Sequence, residues 1–228
     1  MKKTRAALAL IVIILLPASA ALGETASIGF RFAYNTWRER DLFDSTKKAS
    51  GVDYGPTLLY RLGEKENWSI GLEGFYGEFD ELNRAEVDVI VGYRISPLFT
   101  VFADLKYYGY RYDGRNEADV GEKIKTNAFG GGVGVDFQAP LGQGGPFFIF
   151  LNTRLLPMSL RTDVEGGDGT GLLWAYEAGL AYATYLGIEP YDLSLYIAAG
   201  YRRQQVKSSK FNETLDSPFV EIGFKQEF

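Results

Sequence analysis

Residues 27–35 read Ser27-Ile28-Gly29-Phe30-Arg31-Phe32-Ala33-Tyr34-Asn35. In an extended chain Ile28, Phe30, Phe32 and Tyr34 fall on one side and Ser27, Gly29, Arg31, Ala33 and Asn35 on the other. That two-residue period is the signature of a β-strand whose faces meet different surroundings. One side is large and apolar, while the other carries small residues and a guanidinium.

The period recurs along the chain and predicts ten strands, near 26–40, 52–63, 67–79, 85–96, 98–112, 126–138, 146–161, 171–186, 191–206 and 217–228. Fusing or splitting the weaker runs would give eight or twelve, and an even number keeps both chain ends on one side. Most runs are long enough to cross a bilayer at a tilt. Connections at 63–66, 96–97, 141–146 and 187–191 read as short turns, whereas 41–51, 80–84, 113–125, 162–170 and 207–217 read as longer polar loops. Alternating connection lengths predict an all-β, transmembrane, antiparallel up-and-down β-barrel with turns at one membrane face and loops at the other. A soluble β-protein is the alternative fold, and it predicts solubility without detergent.

The apolar face gathers Tyr54, Leu58, Tyr60 and Leu62; Val87, Val89, Val91, Tyr93 and Ile95; Val101, Ala103 and Leu105; and Val133, Val135 and Phe137. Later strands add Ile149, Leu151 and Leu155; Leu172, Trp174, Tyr176, Leu180 and Tyr182; Leu193, Leu195 and Ile197; and Val220, Ile222 and Phe224. This is the expected lipid-facing belt. Trp68, Phe99, Phe147 and Phe228 suit an aromatic girdle at the turn end, and Tyr107, Trp174 and Tyr176 suit the opposite interface. The other face carries seven basic residues, Arg31, Arg61, Arg94, Lys106, Arg154, Arg202 and Lys225, and six acidic ones, Glu73, Asp88, Asp104, Asp136, Glu177 and Glu221. Inside a barrel such a set is expected to pair, because lone charge is costly at low dielectric. Parity is open in the seventh run, where Phe148 and Phe150 compete with Phe147 and Ile149.

The N-terminus has Lys2, Lys3 and Arg5, an apolar run from Ala6 to Leu16, Pro17, and then small residues through Gly23. That pattern predicts an export signal over 1–23, cleaved after Ala20 or Gly23, and a single barrel domain over 24–228. Cleavage removes three basic residues and no acidic ones from a chain with 24 basic and 29 acidic, moving the net charge from −5 to −8. Nucleic acid is therefore not an expected partner. With no Cys, neither a disulfide framework nor a thiolate is available.

The last run ends Val220-Glu221-Ile222-Gly223-Phe224-Lys225-Gln226-Glu227-Phe228. It resembles the assembly signal of Gram-negative outer-membrane barrels in Glu221, Gly223 and the terminal Phe228, and departs from it in the polar Gln226. The chain as a whole is similar in kind to outer-membrane protein A-like barrels and to the ten-stranded omptins, with no close subfamily match. The resemblance implies placement in outer-membrane lipid and assembly by the barrel-assembly machinery through the C-terminal strand.

Enzymes of this class, the omptin proteases, lipid A deacylases, lipid A palmitoyltransferase and outer-membrane phospholipase, use a catalytic histidine, and this chain has no His. Imidazole-based activation of a hydroxyl or a water is thus absent. A carboxylate-only mechanism through Asp88 and Asp104 weighs less than their pairing with interior cations. The acidic stretch 163–169 reads as a hairpin tip before it reads as a calcium site, and Gly130 to Gly134 as a strand relieving crowding rather than a phosphate loop. Tyr107-Tyr108-Gly109-Tyr110-Arg111-Tyr112 reads as interface and rim packing ahead of a sugar- or peptide-stacking surface. No cofactor or metal is expected. Ten strands lie near the size at which side chains fill the interior. The expected function is accordingly a non-enzymatic outer-membrane barrel with an occluded or narrow polar interior, in a structural or surface-interaction role, and the second reading is a narrow porin-like channel for small solutes.

Overall fold

The computed structural model describes residues 25–41, 46–62, 67–80, 82–113, 123–142, 145–163, 168–186, 192–209 and 211–227, without the side chains at 40, 41, 46, 47, 123, 192, 211 and 225–227. The expected export signal and Phe228 lie outside the described residues. Ten antiparallel strands follow in order: β1 (Thr25–Asp41), β2 (Thr46–Leu62), β3 (Trp68–Phe79), β4 (Leu82–Arg94), β5 (Phe99–Asp113), β6 (Lys123–Pro140), β7 (Phe147–Thr162), β8 (Gly169–Tyr185), β9 (Asp192–Ser208) and β10 (Phe211–Glu227). Each pairs with its sequence neighbours, and β1 closes on β10 from Thr25↔Glu227 to Asp41↔Phe211. Closure removes every sheet edge and satisfies the ladders internally, as hydrocarbon requires.

Alternation decides what each face meets. On β1, Tyr34 is 54% exposed while Ala33 and Asn35 are 2% and 0% exposed. Val89, Leu105, Val133, Leu155, Leu180 and Ile222 likewise point outward, while Asp88, Asp104, Lys106 and Arg154 are buried inside. Apolar outside and ionic inside is the inverse of a soluble β-domain, which disposes of that alternative. The seventh strand resolves with Phe147 and Ile149 outward and Phe148 and Phe150 inward, the Phe150 ring 6.2 Å from that of Phe219 across the lumen. At the turn end three outward cross-strand pairs form the girdle, Trp68 with Tyr93, Phe99 with Phe137 and Phe147 with Tyr182, their centroids 4.9, 5.0 and 5.1 Å apart.

Strand ends correct the sequence reading. β2 begins at Thr46 and β10 at Phe211, each six residues before its expected start, and only residues 80–81 and 209–210 separate β3 from β4 and β9 from β10. Most of 80–84 and 207–217, expected as long loops, is therefore strand. Beyond the hydrocarbon the outward face need not be apolar, so the alternation fades while the ladder continues through pairs such as Arg38↔Lys48 and Lys207↔Asn212. Connection length no longer separates the two ends; the girdle and the outward polar residues do.

Between β6 and β7 the register runs through Gly130↔Met158 and resumes at Val133↔Leu155. The gap lies at Pro157, which has no N–H to give its neighbour. The backbones close together there, so that a Cβ on Gly132 would overlap the Leu155 carbonyl. Crowding relief is thus the role of this glycine run, between backbones as well as inside the barrel. Gly132→Ala is expected to lower stability by about 1–3 kcal/mol, read as a reduced urea midpoint in lipid vesicles. An unchanged midpoint would show that the two strands separate there without strain.

Candidate functional site: the filled interior of the barrel

From the turn end inward, the lumen opens as a polar mouth. Arg61, Arg94, Asp136 and Asn152 are half-buried there, and Gln138 Nε2 donates to Asp136 Oδ2 at 2.8 Å. Above it β1 turns Arg31 into the lumen opposite β8 and β10. Its guanidinium takes Glu177 bidentately, at 2.7 and 3.0 Å, and donates from Nε to Glu221 Oε2 at 2.8 Å. The other oxygen of Glu221 accepts from Thr57 Oγ1 at 2.8 Å and from the Tyr196 hydroxyl at 2.7 Å. Phe219 stacks on the guanidinium, its ring centre 4.2 Å from Cζ. Bidentate pairing and saturated acceptors are the conditions under which a buried ion pair offsets its desolvation.

The middle layer is a second network built around β4 and β5. Lys106, 0% exposed, donates to Asp88 at 2.9 and 3.0 Å and also to Glu86. Glu86 further accepts from Arg202 at 3.2 Å and Gln204 at 3.1 Å, and faces Arg84 Nη1 at 2.7 Å. Arg154 donates to Asp104 Oδ2 at 3.0 Å. Asp53 lies 3.6 Å from Arg202, yet its carboxylate accepts no hydrogen bond, and Glu73 Oε2 and Asp104 Oδ1 are likewise unmatched. The buried acidic residues, Glu39, Asp53, Glu86, Asp88, Asp104, Glu177, Glu213 and Glu221, outnumber the buried cations Arg31, Arg84, Lys106, Arg154 and Arg202.

Toward the loop end the lumen becomes apolar. Trp37, Leu82, Tyr108, Tyr112, Leu156, Leu160, Leu173, Val206 and Leu215, from seven strands, pack in one buried cluster that Ala49, Phe79 and Ile124 extend to all ten. Trp37 lies against Tyr110 and Tyr112, with centroids 5.3 and 5.9 Å apart. Its Nε1 donates to Glu213 Oε1 at 3.0 Å and the Tyr108 hydroxyl donates to Glu213 Oε2 at 2.9 Å, while Tyr110 donates to Glu39. This packed cluster lies above the ionic layers, with Glu39 and Glu213 hydrogen-bonded within it.

The structure therefore gathers Arg31, Glu177 and Glu221 into one cluster and Asp88, Asp104, Lys106, Arg154 and Arg202 into another, with Glu73 facing the lumen beside them. Arg61, Arg94 and Asp136 instead stand in the open mouth. The side chain of Lys225 lies outside the described residues; Glu221 and Gly223 face inward on β10. The aromatic stretch is corrected: Tyr108, Tyr110 and Tyr112 are buried in the lumen, and of its tyrosines Tyr107 alone points outward, so it is no stacking surface. Sequence reasoning missed Arg84, Glu86, Glu213 and the apolar cluster. The doublets Leu155-Leu156 and Leu172-Leu173 carried the signal, since each puts a leucine on the face expected to be ionic. Asp88 is held by Lys106 and Asp104 by Arg154.

No protein-family model matches the chain, and no curated protein matches it in sequence. Among solved structures it is similar to the outer-membrane protease OmpT from Escherichia coli, at 13% identity and a TM-score of 0.53 over 90% of this chain and 96% of that one. It is also similar to Neisserial surface protein A, at 13% identity and a TM-score of 0.42 over 89% and 97%, and to the β-domain of the Bordetella autotransporter BrkA, at 11% identity and 0.44 over 90% and 100%. At these identities the likeness concerns architecture alone. The class is an outer-membrane-type β-barrel of ten strands, without a close subfamily.

Proposed function

We propose that the chain is exported by residues 1–23, assembled through its C-terminal strand by the barrel-assembly machinery, and resident in a bacterial outer membrane as a closed, non-enzymatic scaffold acting at its outer surface. The apolar cluster closing the loop-side bore carries this reading, because solute cannot pass a packed core of tryptophan, tyrosine and leucine without unfolding it. The absence of histidine from the sequence supports the non-enzymatic part. The polar mouth with Arg61 and Arg94 favours the second reading, a narrow channel, only if the cluster above it moves. Swelling of vesicles carrying the folded mature chain in isotonic sugar or amino-acid solutions tests the choice. No swelling is expected; swelling that persists in Arg94→Ala but changes rate would replace the scaffold by a channel.

A further inference from the structure

An outward cation and an outward anion stand side by side in the loop-side part of the apolar belt, on the face formed by β8, β9 and β10. Arg203 of β9 is the direct cross-strand partner of Asp216 on β10 and of Tyr176 on β8. On β8 two more apolar outward residues, Trp174 and Leu172, lie farther toward the loop end than Tyr176, so Arg203 is set within the belt rather than beyond it. Charge on the lipid face of a barrel costs more the deeper it sits.

The pair is incomplete within one chain. Arg203 Nε lies 3.6 Å from Asp216 Oδ1, which accepts instead from the Tyr201 hydroxyl. The Arg203 side chain is 42% exposed, and its guanidinium donates no hydrogen bond among the described residues. Five donors without an acceptor beside hydrocarbon call for a partner from outside the chain.

Below the pair the face is low. Ala178, Tyr201 and Pro218 are direct neighbours across β8, β9 and β10, and Ala199 is two residues from Tyr201 on the same side. Ala178, Ala199 and Pro218 are all exposed. Small outward residues let a second membrane-spanning surface come close.

Membrane geometry names that surface. Copies inserted by one route share one orientation, so a closed pair of them is related by a two-fold axis along the membrane normal. Such an axis keeps height and exchanges left with right. A face that carries a cation and an anion side by side at one level is therefore complementary to itself, whereas a face of one sign would repel its twin.

We infer that two copies of the chain pair through β8, β9 and β10, with Arg203 of each set against Asp216 of the partner subunit, where low dielectric strengthens the attraction. The inference rests on the membrane placement proposed above. The chain has no Cys, so an introduced thiol reports a single position. Ala199→Cys lies beside the axis; Val89→Cys is outward on β4, five strands from β9 in either direction. Both are refolded in phosphatidylcholine vesicles at a low protein-to-lipid ratio, with insertion verified by heat-modifiable gel mobility, and oxidised. Disulfide-linked dimer is expected from Ala199→Cys at a yield about tenfold above that from Val89→Cys.

Two further chains, Ala199→Cys with Arg203→Asp and Ala199→Cys with Asp216→Arg, separate contact between copies from the pair within one. Each has lost its own pair and repels its twin, yet the two complement each other. Mixed, they are expected to give heterodimer about tenfold over either homodimer. Equal yields from Ala199→Cys and Val89→Cys, or no excess of the mixed dimer, would overturn the pairing. Inserted protein that cross-links at neither position would overturn it too, and leave Arg203 to a lipid phosphate. Should the charge-reversed chains fail to fold, Ala199→Cys against Val89→Cys decides alone. A chain that stays in solution without detergent would overturn the membrane placement, and the pairing with it.

Discussion

Glu86→Gln is expected to be among the most damaging single substitutions in the barrel, costing about 3–5 kcal/mol, the scale on which breaking one partner out of a buried ionic group is felt. Glu86 is 1% exposed. It alone is shared by Lys106, Arg84 and Arg202, the last two at 2.7 and 3.2 Å. Neutralising it leaves three cations in the middle layer with Asp88 and Asp53 as the carboxylates in reach. Asp53→Asn is the matched control. Its carboxylate accepts no hydrogen bond in a lumen already rich in acid, so its loss is expected to shift stability by no more than about 1 kcal/mol. Urea midpoints of the two variants, folded in the same vesicles, check the pair. Comparable losses would mean that the layer responds to volume or polarity rather than to how charges are shared.

Trp37→Ala is expected to cost about 3–5 kcal/mol through the cavity it leaves, with the lost hydrogen bond to Glu213 included in what is measured. Its second effect bears on function. Trp37 is 0% exposed and lies against two tyrosines in the cluster that closes the bore. Removing the indole brings the buried carboxylates Glu213 and Glu39 toward a hole in the seal. The variant is therefore expected to pass brief ionic currents that wild type does not. A variant that is destabilised yet electrically silent would place the seal deeper, in the ionic layers.

How much of this was legible follows from where each residue meets lipid. Where the outward face is apolar and the inward face small or polar, as from Ile28 to Tyr34, the alternation gives the faces and the parity; in the seventh run, with Phe148 and Phe150 inward beside Phe147 and Ile149, it does not. The interior ion pairs Arg31, Glu177 and Glu221 were legible as members of one face, though not as mutual partners, because contact across the lumen depends on closure and register. The loop-side third of the barrel was misread. There the outside is polar, as at Arg38 and Lys48, and the inside is apolar, as at Trp37 and Leu215, so the period inverts its meaning and the strands read as loops. Tyr108, Tyr110 and Tyr112 were misplaced for a related reason: with Tyr107 beside them the stretch is aromatic on both faces, and composition alone does not say which way it points.

The central claim is that side chains close the bore from within, and single-channel recording of the folded mature chain in a planar bilayer tests it most directly. Silence from wild-type protein shown by gel mobility to be folded and inserted, alongside currents from Trp37→Ala, is the predicted result. Discrete, reproducible conductance steps from the wild type would contradict it.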